Sequence, residues 1–244
     1  MANWSDPRPT AAPYATGVGA REGAYDAGLR SYMLSVYNYM ASGVLLSGIV
    51  ALLFANSGMA AQVFAQGGLL AWVIILSPLA FVMVLSFGLN RLSTPATQAI
   101  FWAFAAVMGL SMSTIFLTYT GTSIARMFFI TAGAFAGLSL FGYTTKKDLS
   151  GFGTFLVMGL IGLIIASVVN IFLGSSVLQF AISVIGVLIF AGLTAYDTQR
   201  IKNMYFQVAG SDFMGKAVVM GALSLYLDFI NMFMFMLQLF GNRE

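Results

Sequence analysis

Residues 152–174 read FGTFLVMGLIGLIIASVVNIFLG, twenty-three positions without a charged side chain. At 1.5 Å per residue, a helix of that length is about 34 Å long, enough to cross the ~30 Å hydrocarbon layer of a bilayer. A barrel strand would show about ten residues of alternating polarity instead, so the run excludes a β-barrel. Six more apolar stretches follow the same pattern, at 33–55, 69–89, 98–118, 124–143, 177–199 and 214–240. The chain of 244 residues is 59% hydrophobic and 8% charged, against about 25% charged in a soluble domain. The fold class predicted is an all-α integral membrane protein, a bundle of seven transmembrane helices.

Short connections between the runs leave no room for a second domain. Residues 1–30 are polar and rich in Gly, Ala and Pro and carry Asp6, Arg8, Arg21, Glu22 and Asp26. They read as a flexible cytoplasmic tail, and 31–244 as one membrane domain. The tail is no secretory signal, whose apolar core would begin nearer the N-terminus. With the N-terminus inside, the inner segments hold Arg8, Arg21, Arg30, Arg91, Lys146, Lys147, Arg200, Lys202 and Lys216, and the outer ones only Arg126 and Arg243. Nine basic residues against two predict a multi-pass protein of the cell's inner (plasma) membrane, N-terminus cytoplasmic. The net charge of +3 then reflects basic loops and not a nucleic-acid surface, because no basic stripe interleaves with aromatics in a soluble segment.

Two charges break this order. Asp197, in AYDTQR, and Asp228, in LSLYLDFIN, lie inside spans six and seven. A carboxylate at a helix centre costs roughly 2.5–3.5 kcal/mol on insertion scales, so an intramembrane aspartate marks a functional position by default. Asp228 has Ser224 four residues before it and Asn231 three after, on the same helical face. Asp197 is followed by Arg200 at i+3, which also fits a local ion pair at the interface. If the two carboxyls meet, they cannot both ionise cheaply and titrate as a unit. A shared proton bridges the helices at lower pH, and repulsion separates them at higher pH. The ionised pair also offers the hard oxygen ligands that Ca²⁺ prefers, so Asp197 and Asp228 are the candidate metal contacts. Asn90 and Arg91 close span two, where Arg91 either snorkels to headgroups or serves as counter-ion to the aspartates.

Other features carry packing. Gly133 with Gly137, and Gly109 with Ser113, form small-xxx-small pairs that permit close helix contact. Pro78 is expected to kink span two. Trp72, Tyr143, Tyr32, Tyr37 and Tyr39 fit interfacial aromatic belts, and Asp148 suits the N-terminus of span five.

There is no cysteine and no histidine, which removes thiolate chemistry, common zinc sites and every histidine-based triad. An intramembrane serine protease fails on that ground. The Tyr196-Asp197 pair with a second aspartate has the outline of an intramembrane aspartyl protease, but Leu225-Tyr226-Leu227 precedes Asp228 where those enzymes carry a glycine-flanked pattern. No catalytic residue and no cofactor are expected.

TTKKDLS at 144–150, AYDTQRIK at 195–202 and ALSLYLDFIN at 222–231 closely resemble the transmembrane Bax inhibitor motif family, over about residues 28–241, and in particular its bacterial members. The resemblance implies a last helix that is central and wrapped by the other six. It implies a pH-sensitive calcium leak controlled by two aspartates, which map onto Asp197 and Asp228, with an arginine latch that falls on Asn90 or Arg91. The charged C-terminal tail of eukaryotic members has no counterpart in the closing Gly-Asn-Arg-Glu. The expectation is a calcium leak, with or without Ca²⁺/H⁺ exchange, in which calcium ions, protons and the bilayer are the partners. The alternative is a membrane-embedded regulator that binds a membrane protease complex or other membrane proteins through the N-terminal tail. A generic solute transporter ranks third, since no inverted repeat is evident.

Overall fold

The computed structural model describes residues 15–89 and 91–243, with side chains from residue 27 onward. Among the described residues eight α-helices run in chain order: α1 Ala15–Asn56, α2 Met59–Ala65, α3 Leu69–Gly88, α4 Thr94–Met112, α5 Gly121–Thr144, α6 Ser150–Leu173, α7 Ser176–Val208 and α8 Met214–Phe240. A 3₁₀ turn, Ser113–Leu117, prolongs α4. Seven of these segments are long and apolar enough to cross a membrane. Among the described residues the one β-type pairing is an isolated bridge between Tyr119 and Arg243. The all-α membrane bundle is therefore as expected.

Local chemistry sets the helix ends. Ser93, Thr120 and Ser175 cap α4, α5 and α7 by accepting from the backbone N–H groups of Ala96, Ser123 and Leu178 at 3.2–3.3 Å, which satisfies donors that no helical carbonyl can reach. Gly174 ends α6 with φ 61°, a left-handed conformation in which a Cβ would be strained. Helix α1 starts at Ala15, so the second half of the polar head is helical. Residues 1–14 lie outside the described residues, as does Asn90.

Helix α8 is the most enclosed span: 67% of its most apolar window is buried, against 39% or less in the others. It packs on α1, α4, α5 and α7. Its aromatic face meets Phe101 and Phe104 of α4 through Tyr226, with ring centroids 6.4 and 5.1 Å away and edge-on geometry, the arrangement that the ring quadrupoles favour. Helices α3 and α6 stand apart from this core. Helix α3 rests on α4, with a lesser contact to α2, and α6 rests on α7, with no comparable contact between α3 and α6 among the described residues.

Several packing expectations resolve differently. Gly109 sits hard against α1, where a Cβ would come within 2.6 Å of the Ser47 carbonyl oxygen. Gly133 and Gly137 face open space and mediate no contact. Tyr32 is 1% exposed and packs on the Tyr205 ring at 5.5 Å, so it belongs to the core and not to an interfacial belt.

Candidate functional site

Asp197 sits on α7, eleven residues before that helix ends at Val208, and Asp228 lies near the middle of α8. Both line one cavity of about 770 Å³. Its walls are α3, through Pro78, Leu79 and Val82, and α6, from Val157 to Ile171. Its floor is the α7–α8 pair, where Tyr196, Asp197 and Arg200 face Ser224, Asp228 and Asn231. The gap arises because α3 and α6 each lean on a different neighbour. Walls of leucine, isoleucine and valine thus enclose a floor that carries most of the polarity.

The two carboxylates differ in environment. The Asp197 side chain is 14% exposed and its Oδ1 lies 4.0 Å from Nη1 of Arg200, whose side chain is 58% exposed. Asp228 is 4% exposed, and its Oδ2 has no hydrogen-bond partner among the described residues. An unpaired buried acceptor normally costs about 1–3 kcal/mol. Its presence here fits a group that awaits a proton or a ligand. Asn231, which also lines the cavity, donates to the Leu227 carbonyl at 2.8 Å.

A second cavity, about 190 Å³, lies beside the first and is lined by Leu89, Asp197, Arg200, Phe213 and Ser224 among others. Asp197, Arg200 and Ser224 line both spaces, so this trio forms the partition between them. At the rim, Lys216 donates to the Leu89 carbonyl at 3.2 Å and ties the start of α8 to the end of α3. Arg91 is exposed and forms no ion pair with either aspartate among the described residues. Arg200 is the cation that the structure places beside Asp197.

Polar residues that sequence reasoning passed over hold the frame around the site. Gln199, two positions after Asp197, accepts from the Leu149 N–H and donates to the Lys147 carbonyl, both at 2.8 Å, which fastens the 145–149 turn to α7. In that turn the Ser150 hydroxyl and backbone N–H hold the Asp148 carboxyl below the usual carboxylate range. At the opposite end Asn170 donates to Gln179, which donates to Gln238 at 3.0 Å, and Ser183 joins the same Gln238 oxygen. Asn170, Gln179 and Gln238 are each a polar side chain inside an apolar run, the same signal that flagged the aspartates, and a search for neutral amides in the spans would have found them; Gln199, in the polar stretch DTQR, carries no such signal. Among the described residues no three acidic, histidine or cysteine side chains converge.

A seven-span helical membrane protein with two acidic side chains on the floor of an intramembrane cavity is the class that this geometry defines. The chain belongs to the family described as "Inhibitor of apoptosis-promoting Bax1", whose profile matches residues 29–244. It is 47% identical to the inner membrane protein YbhL of Escherichia coli (strain K12), over 89% of this chain and 94% of that one. It is also 47% identical to the protein RP147 of Rickettsia prowazekii (strain Madrid E), over 90% and 93%. A membrane protein of Streptococcus pyogenes serotype M3, SpyM3_0260, is 38% identical over 90% and 96%.

Proposed function

We propose that the protein is a pH-sensitive Ca²⁺ leak pathway in which Asp197 and Asp228 form the ion-binding and proton-sensing element. The observation that carries this reading is the placement of both carboxylates on one cavity floor, with Asp228 buried and its Oδ2 unpartnered. Two carboxylates flanked by Ser224 and Asn231 supply a few hard oxygen donors, fewer than the six to eight that hold Ca²⁺ tightly. Such a set suits an ion in transit. With the basic end of the bundle cytoplasmic, the smaller cavity connects the site toward the cytoplasm. Arg200 competes with the cation at Asp197, so occupancy requires its guanidinium to turn out to the water it already half meets. At lower pH a proton shared by the pair takes the place of the cation. At higher pH two like charges repel and admit it.

The test is Ca²⁺ flux into liposomes that contain the purified protein, at pH 6, 7 and 8. Flux is expected to rise with pH, and Asp228→Asn to flatten that dependence. An Asp228→Asn protein with an unaltered pH profile would remove Asp228 from the mechanism.

A further inference from the structure

The lateral position of the larger cavity has a second chemical consequence. Its walls belong to different pairs of helices and face the bilayer: Leu79 of α3 is 61% exposed, and Ile164 and Val168 of α6 are 55% and 50% exposed. A molecule dissolved in hydrocarbon therefore reaches the floor between α3 and α6 without entering water. On that floor Ser224, Asp228 and Asn231 follow one another at i, i+4 and i+7 along α8, the spacing of a single helical face. All three side chains line the cavity, and Asp228 among them is a buried carboxylate with an unpartnered oxygen. Arg200 already sits beside Asp197, so Asp228 is the carboxylate of the pair with no cationic partner among the described residues.

We propose that this cavity binds a single-chain primary alkylamine drawn from the bilayer, its ammonium on Ser224, Asp228 and Asn231 and its chain between α3 and α6. A primary ammonium carries three N–H donors, one for each of these side chains. The neutral amine crosses hydrocarbon readily and takes the carboxyl proton of Asp228 on arrival, so the product is an ammonium carboxylate pair with no net charge brought in. A quaternary ammonium has no N–H to give, and an alcohol brings one donor and no charge. Asp228 lies fourteen residues from Met214 and twelve from Phe240, or about 18–21 Å from either end of α8. That depth is beyond the headgroup of a bilayer phospholipid. The inference uses the aspartate floor of the proposed leak but not the passage of any ion.

The experiment labels the full-length protein in nanodiscs with a decylamine that carries a diazirine on its chain, followed by peptide mass mapping. Label is expected on the α3 and α6 walls, near Leu79, Leu160 and Ile164, and is competed by decylamine at least tenfold better than by decanol or decyltrimethylammonium. Asp228→Asn is expected to abolish the competed fraction. Leu160→Trp, which fills the cavity from its wall and leaves Asp228 in place, is expected to do the same, so loss of label does not rest on one variant. Uniform label over all lipid-facing helices, or equal competition by decanol, overturns the proposal. Ca²⁺ flux measured on the same preparations separates the two readings. Label without a flux response to Asp228→Asn leaves the amine site standing and removes Asp228 from the leak, and the reverse result leaves the leak and refutes the amine site.

Discussion

The hydroxyl pair that fixes α8 predicts an asymmetry between two single substitutions. Tyr226 is fully buried and its hydroxyl lies 2.6 Å from Ser47 Oγ, while the same Ser47 oxygen lies 2.6 Å from the Ala105 carbonyl and 3.0 Å from that of Gly43. A serine has one proton, and both carbonyls are pure acceptors. The Ser47 proton therefore goes to a carbonyl, and Tyr226 is the donor of the pair. Tyr226→Phe removes that donor and leaves Ser47 bonded to the backbone, so the loss is one interhelical hydrogen bond, about 0.6–1 kcal/mol inside a membrane bundle. Ser47→Ala leaves the Tyr226 hydroxyl orphaned at 0% exposure, with the desolvation penalty of an unpaired polar group, about 1–3 kcal/mol. Unfolding of both variants and of the double variant in matched mixed micelles checks this, with circular dichroism as the readout. Ser47→Ala is expected to be the more destabilising by about 1 kcal/mol, and adding Tyr226→Phe to it should recover part of the loss. If Tyr226→Phe is as damaging as Ser47→Ala, or if the double variant is worse than either, the assigned donor direction is wrong.

Two further outcomes follow from the packing and the turn at the basic end. Gly109→Ala drives a Cβ to 2.6 Å from the Ser47 carbonyl oxygen and 2.8 Å from Val50 Cβ; separating α1 from α4 should cost about 1–3 kcal/mol, whereas Gly133→Ala, which meets open space, should be neutral or slightly stabilising in the same unfolding assay. The Asp148 carboxyl is held below its ordinary range by Ser150, so its contribution to stability is present above the unfolded-state value near 3.9 and fades as pH falls through the lower folded value; carboxyl NMR titration should place its midpoint below that of an unstructured aspartate, and Ser150→Ala should return it toward the ordinary value.

The spans were legible because each is long and almost free of charge, and their edges mostly fall within a few residues of those expected. The sixth was read nine residues short. Arg200, Lys202 and Asn203 break the apolar pattern there, but helix α7 continues to Val208, since helical hydrogen bonding does not require a lipid environment. Helix α2 is seven residues long, too short for a periodic signal. The aspartates stood out by the cost of their surroundings. Their relation to a cavity did not, because that depends on α3 and α6 leaning on different partners, a tertiary fact with no local signature. Likewise the small-xxx-small pattern marks Gly109 and Gly133 alike and says nothing of which helix face meets a neighbour.

The division between a well-packed floor and loosely held walls bears on how the site opens. Helix α8 packs on four other helices, which hold its aspartate in place. Helix α3 has 17% of its most apolar window buried and α6 has 11%, the low-contact condition under which segments move at low cost. Of the two, α3 also carries Pro78 at the level of the cavity. Proline has no N–H for the Ile74 carbonyl four residues back, and Ser77 supplies the missing donor through its hydroxyl at 3.0 Å, a substitution typical of membrane helices. A backbone bond that would have stiffened the middle of the wall is thus replaced by a side-chain rotor, while Lys216 pins the end of α3 through Leu89. The wall is therefore restrained at one end and softened beside Asp228. Of the elements around the carboxylates, α3 is thus less held by its neighbours than the helix that bears Asp228.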